Sequence, residues 1–429
     1  MQDWFRQAKL GIFIHWGIYA VKGISESWSF YHGQISYEDY MAQCEGFTAS
    51  NYDPEAWADL FRRAGARYAV LTTKHHDGVA LWDTRHSDLS VVKKTPAGRD
   101  LIRPYTDALR KQGLKVGFYF SHLDWSHPDY ASVYSSAERE RLNDLKRNPF
   151  THPAGAEDHA AWERFLQFHR AQLEELLTNF GHLDILWFDG DWERDAEQWR
   201  FAELRAWLDE HYPKTIINSR MGGYGDYATP EQGIPVVPPK GPWEYCVTMN
   251  NSWGYQPHDK KYKSPEMLIW IFCETIGLGG NLLLDIGPME DGTIPPEQVE
   301  RLERLGEFIK GNEEAVYPTQ AGLPRGHYYG PSTLSQDGSV IYLFQFGIPQ
   351  GPIPVKGIHN QVKNVSVLKS GERLQYDKLG GAGWLNIPGI LWIDLPEKLC
   401  DAPATVIKVE LEGALNLYRE EGSTITDNV

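Results

Sequence analysis

The sequence predicts an α/β fold class: a (β/α)8-like, TIM-type barrel at residues 1–318, an antiparallel β-sandwich at 319–417 and a polar tail at 418–429. Three observations support this prediction. Apolar segments of strand length alternate with amphipathic helical segments through the first region, as in a strand-helix barrel. His, Asp and Trp residues stand where those strands end, which is the functional rim of such barrels. From Thr319 onward, short β-favourable runs separated by turns predict a small sandwich.

The predicted barrel contains seven strand-like segments, and the position of an eighth strand is left open. The strands are expected at Leu10–Trp16, Tyr68–Thr73, Leu114–Ser121, Ile185–Phe188, Thr215–Asn218, Trp243–Met249 and Asn281–Ile286. Helices are expected at Leu101–Gln112, Ala160–Phe180 and Pro296–Gly311, and two more begin with a cap followed by proline, at Asp53-Pro54 and Ser264-Pro265. The sandwich strands are expected at Val340–Phe346, Val365–Leu368, Leu391–Leu395 and Thr405–Leu411.

The segment Gly181–Trp192, GHLDILWFDGDW, is the centre of the predicted barrel. Ile185–Phe188 has no polar face, which is typical of a parallel strand buried on both sides. Asp189 follows it, and a carboxylate there loses hydration and needs a compensating partner. Asp189 could cap the next helix, but Asp195 has the capping-box spacing to Gln198 and is the better cap. We therefore expect Asp189 to be free for chemistry.

Composition excludes several classes of function. A net charge of −16 argues against a nucleic-acid partner, which would need clustered Lys and Arg. No apolar run is long enough to span a membrane, and the first residues lack the pattern of a signal peptide. A cytoplasmic location is therefore expected, or a secreted or periplasmic one if a leader has been removed. The four cysteines have no CxxC spacing, so neither a zinc ribbon nor a disulfide framework is expected.

The polar residues at the strand ends favour glycoside hydrolysis. Carboxylates stand near His and Trp residues, and the chain has neither a nucleophilic Ser or Cys motif nor a phosphate loop. Glycoside hydrolysis needs one ionised carboxylate at the anomeric carbon and a second, protonated carboxyl group that donates to the leaving oxygen. Asp189 suits the first role, because a strand end fixes its position and Trp neighbours limit water. The sixteen tryptophans fit sugar stacking or an aromatic core equally well.

Several motifs occur in order along the chain: LGIFIHWG, YAVLTTKHHDG, ILWFDGDW, SWGY and GGNLLLDIGP. Between about Trp4 and Asn312, this set resembles the α-L-fucosidases of glycoside hydrolase family 29. The resemblance implies a retaining exo-hydrolase that removes terminal α-linked L-fucose from oligosaccharides or glycoconjugates. It also implies a (β/α)8-like catalytic barrel with a C-terminal β-sandwich, and no metal or organic cofactor.

The resemblance assigns roles to individual residues. The family's nucleophile falls on Asp189, and its fucose-binding residues fall on His15, Trp28, His75, His76, Trp187 and Arg220, with Tyr119 and Trp253 as further candidates. Imidazole and guanidinium groups can hydrogen-bond sugar hydroxyls, while indole faces meet the apolar side of a deoxy-sugar. The first loop departs from the family, in which a Glu-Trp pair is common, because Glu26-Ser27-Trp28 stands here.

Two carboxylates, Glu231 and Glu244, are candidates for the acid/base, and the resemblance does not decide between them. Glu231 follows a glycine-rich loop, from which a side chain can reach over a leaving group at the pocket mouth. Glu244 opens an apolar strand beside Trp243, where orienting the pocket or binding sugar is the commoner duty. We favour Glu231 as the acid/base and assign Glu244 to substrate binding.

Two rival functions remain at this stage. A metal-dependent barrel hydrolase could use His75, His76 and Asp77. Neighbouring residues on a strand point to opposite faces, however, and chelate one ion poorly unless the strand has already ended. A non-catalytic fucose-binding protein would have the same sugar pocket and would leave fucosides intact.

Overall fold

The computed structural model describes residues 2–130 and 159–420. The chain forms two compact units. The first comprises Met1–Pro235, Pro239–Lys263 and Leu283–Glu303, and the second comprises Val236–Pro238, Ser264–Leu282 and Arg304–Val429. The domain boundary at 318 and the polar tail at 418–429 stay predictions, and residues 421–429 of that tail lie outside the described part of the chain.

The sequence-predicted strands of the first region form one seven-stranded sheet in the order β5-β4-β3-β2-β1-β7-β6. The strands are β1 Leu10–Ile14, β2 Tyr68–Lys74, β3 Lys115–Ser121, β4 Ile185–Asp189, β5 Ile216–Ile217, β6 Glu244–Thr248 and β7 Asn281–Ile286. The pairs from β1 to β5 are parallel, as βα alternation requires. Almost every strand residue is buried, because helices cover one face and side chains fill the other. The predicted (β/α)8-like fold is confirmed.

The eighth strand position is taken by an irregular segment, 226–232, between β5 and β6. Isolated parallel bridges join Asn218 to Tyr227 on one side and Glu231 to Cys246 on the other. Pro230, which has no N–H, interrupts a regular ladder, although its carbonyl accepts from the Cys246 N–H at 3.1 Å. The segment thus spans the gap between two strands and presents Glu231 near their carboxyl ends.

The helices agree with the predicted alternation. They are α1 Asp3–Gln7, α2 Trp28–Tyr31, α3 Tyr37–Met41, α4 Pro54–Arg63, α5 Val91–Lys94, α6 Ile102–Lys111, α7 His159–Asn179, α8 Phe201–His211, α9 Pro265–Gly277, α10 Pro296–Gly311 and α11 Glu313–Val316. Asp53 and Ser264 cap α4 and α9 through their side chains, and a proline follows each cap, as predicted. Within the described residues, none of these helices has the length and apolar character needed to cross a membrane.

The structure corrects the predicted start of α8, which was expected to be capped by Asp195. Asp195 and Gln198 do form a reciprocal capping box, with hydrogen bonds of 2.8 and 3.1 Å. The box closes a turn, however, and α8 begins only at Phe201. The reason is Arg200, whose φ of +56° lies in the left-handed region and interrupts the helical backbone.

The C-terminal strands of the second unit are antiparallel and form two sheets, β12-β15-β10-β9-β8 and β11-β14-β13. They are β8 Thr319–Ala321, β9 Ser332–Ser335, β10 Val340–Phe346, β11 Ile353–Val355, β12 Val362–Val367, β13 Tyr376–Leu379, β14 Ile390–Ile393 and β15 Ala404–Leu411. One apolar cluster joins the sheets, with Leu343 and Ile407 from the larger sheet and Val355 and Leu391 from the smaller. This packing is a β-sandwich, as predicted.

Candidate active site

The carboxyl ends of the parallel strands gather the sequence-predicted residues in the first unit. His15 follows β1, His75 and His76 follow β2, and Asp189 ends β4. Parallel strands bring their carboxyl ends to the same rim, so residues far apart in sequence become neighbours there. Tyr119 and Trp187 lie within β3 and β4, in the aromatic cluster that fills the interior just below this rim.

Asp189 is held by side chains and caps no helix. Its Oδ2 accepts from the Tyr119 hydroxyl at 3.0 Å, and its Oδ1 accepts from Arg220 Nη1 at 3.2 Å. Burial raises the pKa of Asp189 to about 6, while the Arg220 charge and the Tyr119 hydrogen bond oppose that shift. The carboxylate is therefore fixed in position, poorly hydrated and still ionised at neutral pH.

Arg220 joins Asp189 to Glu231. Its Nη1 contacts Asp189, and its Nη2 donates to Glu231 Oε2 at 2.5 Å. One planar guanidinium between two carboxyl groups keeps them close in a defined orientation. The two carboxyl groups differ in exposure, with 16% of the Asp189 side chain and 39% of the Glu231 side chain accessible. The site thus contains a mostly buried and an exposed carboxyl group.

His76 offers a hydrogen-bond acceptor beside Asp189. Its Nδ1 lies 2.6 Å from Ser121 Oγ, and that hydroxyl donates its hydrogen to the Leu123 carbonyl. Ser121 Oγ must therefore accept from His76 Nδ1–H, which leaves Nε2 as an acceptor. Within the described residues this buried Nε2 has no hydrogen-bond partner, and it lies 3.7 Å from Asp189 Oδ2. A ligand hydroxyl could donate to it.

His75 and His15 complete a row of buried imidazoles. His75 Nδ1 lies 2.5 Å from Ser27 Oγ, and His15 Nδ1 lies 2.6 Å from Asp285 Oδ1. Burial lowers the pKa of His75 to about 3 and lowers the pKa of His15 well below its usual value. Both rings are therefore neutral at neutral pH and suit hydrogen bonds to neutral hydroxyls.

His75 and His76 lie beyond the end of their strand, the case in which the rule of opposite faces does not apply. β2 ends at Lys74, and beyond it the two imidazole rings lie 4.2 Å apart. Each ring nevertheless has its Nδ1 engaged by a serine hydroxyl. In residues 2–130 and 159–420, no group of three or more His, Cys, Asp or Glu side chains is arranged to hold a metal ion.

Glu244 lies behind the site. It is fully buried, and its two oxygens accept from Tyr68 Oη at 2.5 Å and from Trp187 Nε1 at 2.9 Å. Burial raises the pKa of Glu244 to about 7. The Trp187 indole that it holds stacks on Tyr119, with ring centres 5.7 Å apart. Glu244 thus orients the aromatic floor of the site from below.

Two loops meet at the rim. One ends at Trp28, the first residue of α2, and the other contains Trp253. Trp253 packs on His15 with ring centres 4.9 Å apart, and Trp28 makes an edge contact with His76 at 5.5 Å. The buried Glu26 links the loops, because its Oε1 accepts from the Gly254 N–H at 2.6 Å. The three residues of the unusual Glu26-Ser27-Trp28 sequence therefore make separate contacts, with Gly254, His75 and His76 respectively.

Sequence reasoning missed the supporting residues of the site. Ser27 and Ser121 orient the imidazoles of His75 and His76 from 48 and 45 residues away, and an isolated serine has no sequence signal for such a role. Trp192, 47% exposed, stacks on Trp28 with ring centres 5.9 Å apart and widens the aromatic rim. Its place three residues after Asp189 was the one available signal.

Comparisons with known proteins show which family the chain resembles. The family model described as "Alpha-L-fucosidase" matches residues 1–314. The tissue α-L-fucosidase of Mus musculus is 33% identical over an alignment of 460 positions, which covers 98% of this chain and 92% of that protein. The plasma α-L-fucosidase of Homo sapiens is 32% identical over an alignment of 350 positions, which covers 74% of this chain and 69% of that protein.

Solved structures show the same similarity over nearly the whole chain. The α-L-fucosidase isoenzyme 1 from Paenibacillus thiaminolyticus has a TM-score of 0.84 at 35% identity, covering 96% of this chain and 98% of that one. A GH29 α-L-fucosidase from Bacteroides thetaiotaomicron, trapped as a covalent intermediate with 2-fluoro-fucosyl fluoride, has a TM-score of 0.83 at 26% identity, covering 96% and 97%. The chain belongs to the α-L-fucosidase family, glycoside hydrolase family 29.

Proposed function

We propose that this site hydrolyses terminal α-linked L-fucose from fucosylated oligosaccharides or glycans with retention of configuration, using Asp189 as the nucleophile and Glu231 as the acid/base. The observation that carries the proposal is the guanidinium of Arg220, which contacts a buried carboxylate and a half-exposed one. Retaining glycosidases need two carboxyl groups roughly 5 Å apart, and a shared guanidinium supports such a spacing.

In the first step, an Asp189 oxygen attacks the anomeric carbon and the glycosidic C–O bond breaks. Glu231 transfers its proton to the departing oxygen, so the leaving group departs as a neutral alcohol. The product is a fucosyl ester of Asp189 with inverted anomeric configuration. Tyr119 and Arg220 already contact the attacking carboxylate, which reduces the reorganisation needed to reach the transition state.

In the second step, the Glu231 carboxylate removes a proton from water, and the oxygen of that water attacks the anomeric carbon. The ester bond breaks, Asp189 regains its carboxylate, and L-fucose leaves with the α configuration restored. The Arg220 contact keeps the Glu231 carboxyl group beside Asp189 in both steps.

We infer that Glu231, rather than Glu244, is the acid/base because only Glu231 is accessible to a leaving group. Both oxygens of Glu244 are engaged by buried donors, so it would have to abandon Trp187 and Tyr68 to reach a substrate. Glu244 acts on the sugar indirectly, through the position of the Trp187 indole.

The remaining predicted residues form the proposed fucose pocket. The neutral imidazoles of His15, His75 and His76 exchange hydrogen bonds with sugar hydroxyls, and His76 Nε2 accepts one of them beside Asp189. Trp28 and Trp253 offer apolar faces at the rim to the C–H groups and methyl group of the deoxy-sugar.

The stereochemical course tests this proposal. Proton NMR of the reaction with an aryl α-L-fucoside should show α-L-fucose first, with the β anomer appearing only as the sugar mutarotates. First release of β-L-fucose would contradict the double-displacement mechanism. Absence of any fucose release by the folded protein would contradict catalysis altogether.

A further inference from the structure

The backbone that carries Arg220 lies beyond the regular sheet. β5 consists of Ile216 and Ile217 only, and its ladder with β4 covers just the pairs Ile185–Ile216 and Leu186–Ile217. Arg220 therefore follows a strand that has already ended, although its guanidinium must sit between Asp189 and Glu231. Other groups must fix the end of β5 relative to the end of β4.

Asn218 provides one such connection. Its side-chain Oδ1 accepts from the Phe188 N–H at 2.8 Å, and its Nδ2 donates to the Phe188 carbonyl at 2.8 Å. The amide thus makes the two bonds that a neighbouring strand would make. Phe188 lies one residue before Asp189, and Asn218 lies two residues before Arg220, so this connection reaches neither functional residue.

His122, the first residue after β3, makes the next connection. Its backbone N–H donates to the Asp189 carbonyl at 2.7 Å. Its ring Nε2 lies 3.1 Å from the Arg220 carbonyl. Because a carbonyl oxygen only accepts, His122 Nε2 carries the hydrogen. One residue therefore binds the backbones of both Asp189 and Arg220.

His169 on α7 fixes the tautomer of His122. With Nε2 protonated, His122 Nδ1 is an acceptor, and it lies 3.0 Å from His169 Nε2, which must donate. Both rings are buried, and burial lowers the pKa of His122 to about 3 and the pKa of His169 well below its usual value. The pair is neutral at working pH and brings no charge near Arg220.

The surroundings of His122 hold the ring in one orientation. It stacks on Phe188 with ring centres 4.3 Å apart and contacts Phe201 at 4.8 Å. A ring clamped between aromatic faces has little freedom to turn away from the Arg220 carbonyl. The direction of the Nε2–H bond is consequently set by packing as well as by His169.

We propose that His122, with its tautomer set by His169, is a positioning residue that fixes the Arg220 backbone so that the guanidinium bridges Asp189 and Glu231. This inference rests on the proposed roles of those two carboxyl groups. In the described part of the chain, His122 makes no hydrogen bond to the carboxyl group of Asp189 or of Glu231. Its contribution is the register between the ends of β4 and β5, which the short ladder leaves undefined.

The test is the pH profile of kcat/KM for the variant His122→Phe, which keeps an aromatic ring and removes the donor to Arg220. A displaced guanidinium would lower the pKa of Asp189 less, whereas His76, Tyr119 and Glu231 would keep their places around it. The acid limb should therefore move up by about one pH unit. At neutral pH, kcat/KM should fall about tenfold or more, as expected for a misplaced catalytic group.

Three companion variants separate positioning from general stability. His122→Gln keeps an N–H donor and should return the acid limb towards its wild-type position. His169→Phe should shift the limb in the same direction as His122→Phe by a smaller amount. If His122→Phe does not fold, His169→Phe replaces it as the test. The matched control is His127→Phe. His127 is partly buried and packs on Phe168 of α7, the helix that carries His169, with ring centres 4.3 Å apart. Among the described residues it has no contact with Arg220. His127→Phe should leave the limb in place.

The outcomes also separate this inference from the proposed function. If His122→Phe lowers Tm but keeps the wild-type acid limb, His122 is only structural and the inference is overturned. The same conclusion follows if His127→Phe moves the limb equally. Asp189→Ala, assayed in parallel, tests the proposed function separately, because retained turnover there would remove the nucleophile assignment whatever His122→Phe does.

Discussion

The floor and the mouth of the site are built differently. At the floor, Asp189, Tyr119 and His76 are buried or nearly so, and each has a fixed hydrogen-bonding direction. At the mouth, Glu231 and Trp192 are substantially exposed, and Glu231 belongs to an irregular segment instead of a strand. Arg220 contacts a carboxyl group in both regions.

This difference matches the two tasks of the proposed mechanism. A nucleophile must meet one carbon atom at one angle, so a rigid and poorly hydrated position is useful. A general acid must reach oxygens of different leaving groups and exchange protons with water, so partial exposure is useful. Substitutions in each region and the pH profile of the enzyme test whether the two regions divide the work in this way.

Removing the floor carboxylate should have the largest effect. Asp189→Ala should lower turnover by about 10³-fold or more, because the covalent step loses its nucleophile. Circular dichroism should show a folded protein. Added azide should restore part of the cleavage of an activated aryl fucoside and give a β-fucosyl azide. A variant that keeps more than about a tenth of the wild-type rate would exclude Asp189 as the nucleophile.

Removing the mouth carboxyl group should have a smaller effect that depends on the leaving group. Glu231→Ala should lower kcat on a natural fucosyl disaccharide by about 10²- to 10⁴-fold, because that leaving oxygen needs a proton. An aryl fucoside with a good leaving group should lose far less in its fucosylation step. Glu231→Ala should also abolish the alkaline limb of the pH profile. Equal losses on both substrates would argue against Glu231.

Glu244→Ala tests the region beneath the floor. Two buried donors, Trp187 Nε1 and Tyr68 Oη, would lose their acceptor, so the free energy of unfolding should fall by roughly 2–4 kcal/mol. Activity should fall about equally on both kinds of substrate, since no proton transfer is lost. Glu244→Gln, which keeps an acceptor oxygen, is the matched control and should retain most of the stability. A loss confined to the disaccharide would make Glu244 the acid.

The smallest effect is expected for the wild-type protein at low pH, where kcat/KM should fall along the acid limb of its pH profile. Asp189 must be ionised to attack, and its pKa is raised to about 6. As the pH falls through 6 the carboxylate takes up a proton, so kcat/KM should drop about tenfold per pH unit below that value. Glu244→Gln should leave this limb unchanged. A limb at the usual pKa of an exposed aspartate would show that burial does not control the nucleophile.

The floor could be predicted from the sequence, whereas the mouth could be predicted only in part. A run such as Ile185–Phe188 ends in a polar residue at the barrel rim whatever the rest of the chain does, and His75 and His76 follow β2 by the same rule. The choice between Glu231 and Glu244 depends on which one is buried behind Trp187. That is a tertiary fact, and local sequence patterns do not contain it.

Other differences between prediction and structure have the same origin. The capping box at Asp195 formed as predicted, yet the left-handed backbone at Arg200 moved the helix start to Phe201. The role of His122 also needed the structure, because its partners Arg220 and His169 lie 98 and 47 residues away. Local patterns predicted which residues stand at strand ends, and three-dimensional packing decided how they are paired.

Trapping the covalent intermediate identifies the nucleophile directly. The protein would be incubated with 2-fluoro-fucosyl fluoride, digested with trypsin and analysed by fragmentation mass spectrometry. We expect a single 2-fluorofucosyl group on the tryptic peptide Ala171–Arg194, attached to Asp189. A label on Asp191 or on Glu231, or an inactivated enzyme without a covalent label, would contradict the assignment of Asp189 as the nucleophile.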